Sequence, residues 1–293
     1  MANAGTLFPY DDPAMGAMLC CTFPQPGPRA CAIGHDEDAM KRSLILLYGV
    51  ACYLVFFATF LYAIGFVGNL WVPKAMDSPR DTTLGMALAI NLGLLSLFAL
   101  QHSVMARPAF KRAWTRVIPE SAERSTYTLL SSLALILLFW QWRPLGGVVW
   151  DVQNEIARAL IYAAFAFGWG LVLVATFLIN HFDLFGLRQV WLQFRGRPYR
   201  ALPFKTPGPY RLVRHPLYVG WFFAFWATPT MTVTHLVFAV MTTAYILIAI
   251  QLEERDLVGA LPEYAQYRRR VPMLVPRMRA SRTDDAPRAA RSA

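Results

Sequence analysis

Two stretches of this 293-residue chain gather residues able to do chemistry in places where such residues are costly to keep. Between Pro207 and Gly220, Arg211, Arg214 and His215 stand directly before an apolar run, and where that run ends Glu253 and Glu254 follow. Charges beside a hydrocarbon phase are expensive unless they are paired, solvated or used on a ligand. Pro216 suits a first helical turn, where its missing N–H would have no partner anyway, and a helix N-terminus beside two arginines favours an anion such as a carboxylate. The returning carboxylate pair can accept from an ammonium group or ribose hydroxyls, or simply neutralise Arg211 and Arg214. Cationic and anionic ends on one apolar hairpin would fit a zwitterionic amphiphilic cofactor. Ordinary loop arginines and a solvated helix end would give the same pattern.

The elements that must position these residues are membrane helices. Hydrophobic residues make up 56% of the chain and charged ones 16%, against roughly 25% charged in ordinary soluble domains. Apolar runs over 43–68, 84–105, 126–142 and 156–179 each approach the length of about 20 residues that a helix needs to cross a bilayer. A fifth run, 217–250, is interrupted at Thr228-Pro229-Thr230 and is too long for one span, so it reads as a tight, tilted hairpin turning at Pro229. The fold class expected is all-α: a polytopic transmembrane bundle of about five to six membrane segments with a C-terminal helical hairpin.

Charge fixes the expected orientation. Residues 105–125 and 180–216 are strongly basic, the second holding seven arginines and lysines against Asp183 alone, whereas 143–155 is not. By the positive-inside rule the basic loops, both termini and the Arg214 region face the cytoplasm, as in a bacterial-type inner-membrane protein. The net charge of +10 is spread between apolar spans, which argues against nucleic acid as a partner. Cys20, Cys21, Cys31 and Cys52 lack C-x-x-C spacing, so neither a disulfide framework nor a structural metal is expected. Residues 1–39 read as a disordered leader, with the functional protein starting near Met40; 40–278 read as one membrane domain and 279–293 as a disordered basic tail.

Gly208-Pro209-Tyr210, Arg214-His215-Pro216-Leu217-Tyr218 with Gly220, then Glu253-Glu254, Leu257, Tyr264, Tyr267 and Val271-Pro272 resemble the C-terminal signature of the isoprenylcysteine carboxyl methyltransferase-like membrane enzymes. That resemblance implies S-adenosyl-L-methionine in a cytosol-facing pocket. It implies cofactor contacts at Arg214, His215, Tyr218, Glu253 and Glu254, with Gly220 of the same motif and with Tyr267 and Arg268 nearby. The stretches 99–107 and 179–189 are similar to those of bacterial methanethiol S-methyltransferases within the same superfamily, enzymes that convert methanethiol to dimethyl sulfide.

Methylating a small thiol needs a thiolate aligned behind a sulfonium methyl, and a base or positive charge that stabilises the anion. His181 is the preferred base, with Asp183 orienting it or pairing with Arg188, and His102 is a further candidate; histidines that merely hydrogen-bond to backbone are the alternative. His181-x-Asp183 has no third ligand at credible spacing, so no metal is expected. Trp221, Phe222 and Phe225 are candidates to line a cofactor or substrate cavity, and His235 reads as structural. The partners implied are a small thiol and the lipid bilayer, with no obligatory protein partner. The rival readings are a membrane methyltransferase acting on an isoprenylcysteine carboxylate or a phospholipid amine, and a non-catalytic sensor or accessory protein.

Overall fold

The computed structural model describes residues 28–276, with side chains from Asp38 onward. Its helices are α1 (Pro28–Gly68), α2 (Leu84–Met105), α3 (Pro108–Trp114), α4 (Glu120–Gln141), α5 (Glu155–Leu178), α6 (His181–Leu184), α7 (Leu187–Phe194), α8 (Pro216–Trp226), α9 (Val233–Ala260) and α10 (Pro262–Arg270), with a 3-10 turn at Gly208–Arg211. Strands β1 (Val148–Asp151) and β2 (Thr230–Thr232) form one antiparallel pair. α1 begins at Pro28, within the stretch assigned from the sequence to a disordered leader. The rest of the leader and the basic tail lie outside the described residues.

Four described helices are long and apolar enough to cross a membrane: 38–68, Leu84–Met105, Glu155–Leu178 and Val233–Ala260. That is fewer than the five to six segments expected, and the two shortfalls have different causes. α4 is as long as α2, at 22 residues, but it turns Ser125, Thr126, Thr128, Ser131 and Ser132 inward. It can be polar because it packs between α1 and α2 and its hydroxyls bond back to the preceding turn, as Thr126 does to the Ala122 carbonyl at 2.9 Å. α8 has 11 residues, about 16 Å of helix, roughly half a hydrocarbon thickness. It is therefore the short arm of an asymmetric hairpin whose long arm is the 28-residue α9.

Lipid-facing character is plain on the bundle surface, where Leu47, Leu54, Leu61, Leu100, Leu160 and Ile248 are all exposed. Inside, Trp142 is fully buried and meets Phe66 of α1 and Phe238 of α9 edge-on. α5 and α8 approach closely because Gly168 and Gly220 face each other: a Cβ on Gly168 would lie 2.5 Å from the Ala224 amide nitrogen, and one on Gly220 2.8 Å from the Gly168 carbonyl oxygen. Small residues at membrane helix crossings act in this way.

The segments alternate in direction, so the connections sort to two ends. At one end β1 pairs with β2, Val152 donates to the Pro229 carbonyl at 2.9 Å, and Thr232 bonds Asp77. The hairpin does turn around Pro229; β2 lies in its loop, and β1 comes from the connection between α4 and α5. His235, buried at this end, bonds the Phe225 carbonyl at 2.8 Å, the structural task expected of it. At the other end lie α3, α6, α7 and α10, with the basic loops.

Candidate functional site

The site sits at the basic end, where α5 stops. Ile179 closes α5 and Asn180 takes a left-handed conformation with φ 85°, which Asn tolerates better than most residues. The Asn180 side chain then accepts from the Asp183 amide at 3.2 Å, starting α6 in a new direction. Gly186 carries the chain on with φ 92° and lies so close to α4 that a Cβ would fall 2.5 Å from Ser125 Oγ. Together these breaks fold His181 back beneath the Phe177 ring, with 4.3 Å between centroids.

His181 is buried and both ring nitrogens are engaged: Nδ1 lies 2.8 Å from Thr176 Oγ1 and Nε2 2.9 Å from the Tyr53 hydroxyl. The Thr176 hydroxyl spends its one hydrogen on the Leu173 carbonyl at 2.7 Å, so it must accept from His181 Nδ1–H. Nε2 is then the bare nitrogen and accepts from Tyr53. Burial pushes the imidazole below its ordinary pKa, so it is neutral near pH 7. Asp183 does not orient it. That carboxylate accepts from Arg188 at 2.8 Å and from the Tyr199 hydroxyl at 3.3 Å, tying the α6–α7 corner to the following loop; of the two tasks considered for Asp183, pairing with Arg188 is the one present.

The hairpin clamp is built differently from its sequence. Glu254 is 2% exposed and saturated: Oε1 accepts from Arg214 Nε at 2.6 Å and His215 Nε2 at 2.9 Å, and Oε2 from Arg268 Nε at 3.0 Å. The Tyr264 hydroxyl adds a longer contact at 3.4 Å. Arg214 also donates to the Val271 carbonyl, and the amides of Arg214 and His215 donate to Pro272 and Met273 carbonyls at 2.8 and 3.2 Å. This knot locks the start of α8 to the end of α9 and to the segment after α10. Burial lowers the His215 pKa, against the pull of the two carboxylates. Glu253, by contrast, turns to the cavities, where Tyr218 donates to its Oε2 at 2.9 Å.

Two cavities meet here. The outer one, about 450 Å³, is lined by Asn180, Lys205, Tyr210, Arg214, Glu253 and Tyr267 among others. Its floor holds a cluster of aromatic rings, with Phe204 edge-on to Tyr264 and Tyr267 at 5.9 and 5.4 Å. Burial raises the Tyr267 hydroxyl to about 12, keeping it a donor to the Tyr210 carbonyl at 2.5 Å. The inner cavity, about 360 Å³, lies between α1, α2, α4, α5, α8 and α9 and is mostly apolar. Arg124, His181, Tyr218 and Glu253 line both, together with Leu184, Leu217 and Leu257, forming a neck that carries polar groups between the more polar cavity and the apolar one.

The structure thus brings Arg214, His215, Tyr218, Glu253, Tyr267, His181 and Asp183 to the outer cavity, while His102 stands on the wall of the inner one alone. There its ring nitrogens lie 3.0 and 2.9 Å from the Tyr127 hydroxyl, and Nδ1 lies 3.2 Å from Ser131. Glu254, Arg268 and Gly220 do not line either cavity: the first two are spent on the knot, and Gly220 on the α5 crossing. Trp221 and Phe225 line the inner cavity; Phe222 does not. The sequence did not mark Arg124, Tyr127, Thr176 or Phe204 as site residues, and it carried Tyr210 only inside a motif. Tyr127 and Thr176 sit within helices read only as spans, where an intramembrane polar residue was the available signal.

No protein-family model matches the chain, and no solved structure does. Among curated proteins, methanethiol S-methyltransferase from Crocosphaera subtropica is 60% identical over 242 residues, 82% of this chain and 95% of that protein. Methanethiol S-methyltransferase from Mycobacterium tuberculosis is 55% identical over 238 residues, 81% of this chain and 98% of that protein. Nurim from Mus musculus is more distant, 30% identical over 232 residues, 75% of this chain and 88% of that protein. With such identity over nearly the whole of its first two relatives, this membrane-embedded chain belongs to the methanethiol S-methyltransferase family.

Proposed function

We propose that the protein transfers a methyl group from S-adenosyl-L-methionine to methanethiol, yielding dimethyl sulfide, at the neck between the two cavities. The observation that carries this reading is the shared wall of His181, Tyr218 and Glu253 between the more polar outer cavity and the apolar inner one, with the names of the relatives as independent support. The outer cavity fits the cofactor by its chemistry: carboxylates for an ammonium or ribose hydroxyls, Lys205 and Arg214 for a carboxylate, and aromatic faces for an adenine ring. Bound there, the cofactor supplies an electrophilic sulfonium methyl. Glu253 and Tyr218 hold the charge balance at the neck, and the apolar chamber excludes water from the thiol. His181 Nε2 takes up the thiol proton once the Tyr53 hydroxyl swings off its lone pair, so that the neutral imidazole is the working form. Positioning of the two sulfurs supplies the remaining rate enhancement, without a covalent intermediate on the protein.

The charge of the basic loops supports a cytoplasmic face for this site, within reach of a soluble cofactor. The full chain in lipid nanodiscs, given S-adenosyl-L-methionine and methanethiol, should release dimethyl sulfide into the headspace. Cofactor binding without product would reject the acceptor, and absence of both binding and product would leave a non-catalytic membrane protein.

A further inference from the structure

We infer that the acceptor site takes hydrophobic thiols well beyond methanethiol, with the sulfur at the neck and the alkyl or aryl group housed in the inner chamber. This rests on the methyl-transfer reading above and extends its substrate class. The chamber holds about 360 Å³, the liquid volume of about twelve waters, whereas methanethiol is a single carbon and a single sulfur. Along α1 the chamber extends from Phe56 to Val67, about 16 Å of helix. Its wall is made by Phe60, Leu95, Leu135, Phe139, Trp221 and Ile246.

Most polar groups on that wall already have partners among the described residues, Lys111 of α3 being the exception. His102 bonds Tyr127, Ser103 bonds Tyr245 at 3.2 Å, and Arg107 pairs with Asp256 at 2.8 Å. Beyond the neck and the Lys111 ammonium, therefore, the chamber offers an occupant mainly apolar surface. A dry apolar cavity costs stability in proportion to its volume, and a thiol of one carbon would leave most of this one unfilled. Burying one methylene corresponds to about a fourfold gain in affinity, so chain length should be read out directly. The chemistry is unchanged: the thiol gives up its proton, a sulfur lone pair forms the new S–CH₃ bond, and the electron pair of the broken C–S⁺ bond stays on the cofactor's sulfur.

The test gives the full chain in nanodiscs S-adenosyl-L-methionine and a series of thiols from methane- to hexanethiol, and measures each methyl thioether. The expected result is a kcat/KM that rises about fourfold per methylene until the chamber is full. Ala63→Phe fills the deep end of the chamber from α1 and Leu135→Phe from α4; either should lower the hexanethiol-to-methanethiol ratio at least tenfold. A second readout needs no cofactor: hexyl methyl sulfide should raise the thermal unfolding temperature of the wild type and not of Ala63→Phe. Turnover of methanethiol with a flat or falling chain-length profile, as when a lipid acyl chain fills the chamber, overturns the inference and leaves the methanethiol reading intact. Turnover of the longer thiols without methanethiol supports it and rejects methanethiol as substrate; no turnover of any thiol overturns both.

Discussion

Glu253 and Glu254 are chemically identical neighbours that the fold gives separate tasks. Glu254 ends in a buried knot with Arg214, His215 and Arg268, and breaking a buried ion pair from one side costs about 3 kcal/mol or more. Glu254→Ala should therefore destabilise the protein by about that amount in denaturant or thermal unfolding, whereas Glu253→Gln should unfold like the wild type and bind S-adenosyl-L-methionine at least tenfold more weakly. Normal stability in Glu254→Ala together with lost binding would return Glu254 to the ligand. For His181, burial holds the folded pKa below the usual value of about 6.5. As pH falls through that value the unfolded chain takes up the proton first, so stability present above it is lost toward the lower folded pKa, by up to about 1.4 kcal/mol per pH unit. His215 is shifted the same way. His181→Gln should show a shallower loss of stability between pH 7 and 5 and a lower kcat; an unchanged kcat near pH 7 would remove His181 as the base.

At the scale of elements, the short α8 reaches the site because two glycines let it lie against α5. A methyl group on Gly168 would meet backbone atoms of α8 on two sides, and overpacking of that kind typically costs about 1–3 kcal/mol. Gly168→Val should lower thermal stability by at least that range and weaken cofactor binding with it, since His215 and Tyr218 ride on the start of α8; a wild-type melting curve would show that the helices can separate freely. The sequence carried Gly220 inside a motif, but nothing in its spacing distinguished a ligand contact from a helix crossing. α4 was legible as a helix, while its inward-facing hydroxyls made it less apolar than its neighbours. β1 and β2 were not legible, because strands of four and three residues are too short to show a period of two.

For the whole molecule, two basic loops and the basic α10 share one end and the paired strands share the other. A cysteine in place of Lys205, in a chain lacking Cys20, Cys21 and Cys31, should be labelled by an impermeant thiol reagent only from the cytoplasmic side, and one in place of Gln153 only from the opposite side. Reversed labelling would turn the protein over and put the site out of reach of a cytoplasmic cofactor.

What the sequence determined by itself was the solvent of each segment. Apolar length and loop charge are local sums, so spans, the Pro229 hairpin and the basic end could be read residue by residue. The convergence of His181, Tyr218 and Glu253 on one neck could not, because it depends on Asn180 and Gly186 turning the chain and on Gly168 admitting α8. Nor could the division between Glu253 and Glu254, since adjacent helical residues face about 100° apart and only the packing decides which face meets the arginines. The chamber itself has no sequence signature at all: its volume is what six packed helices leave between them.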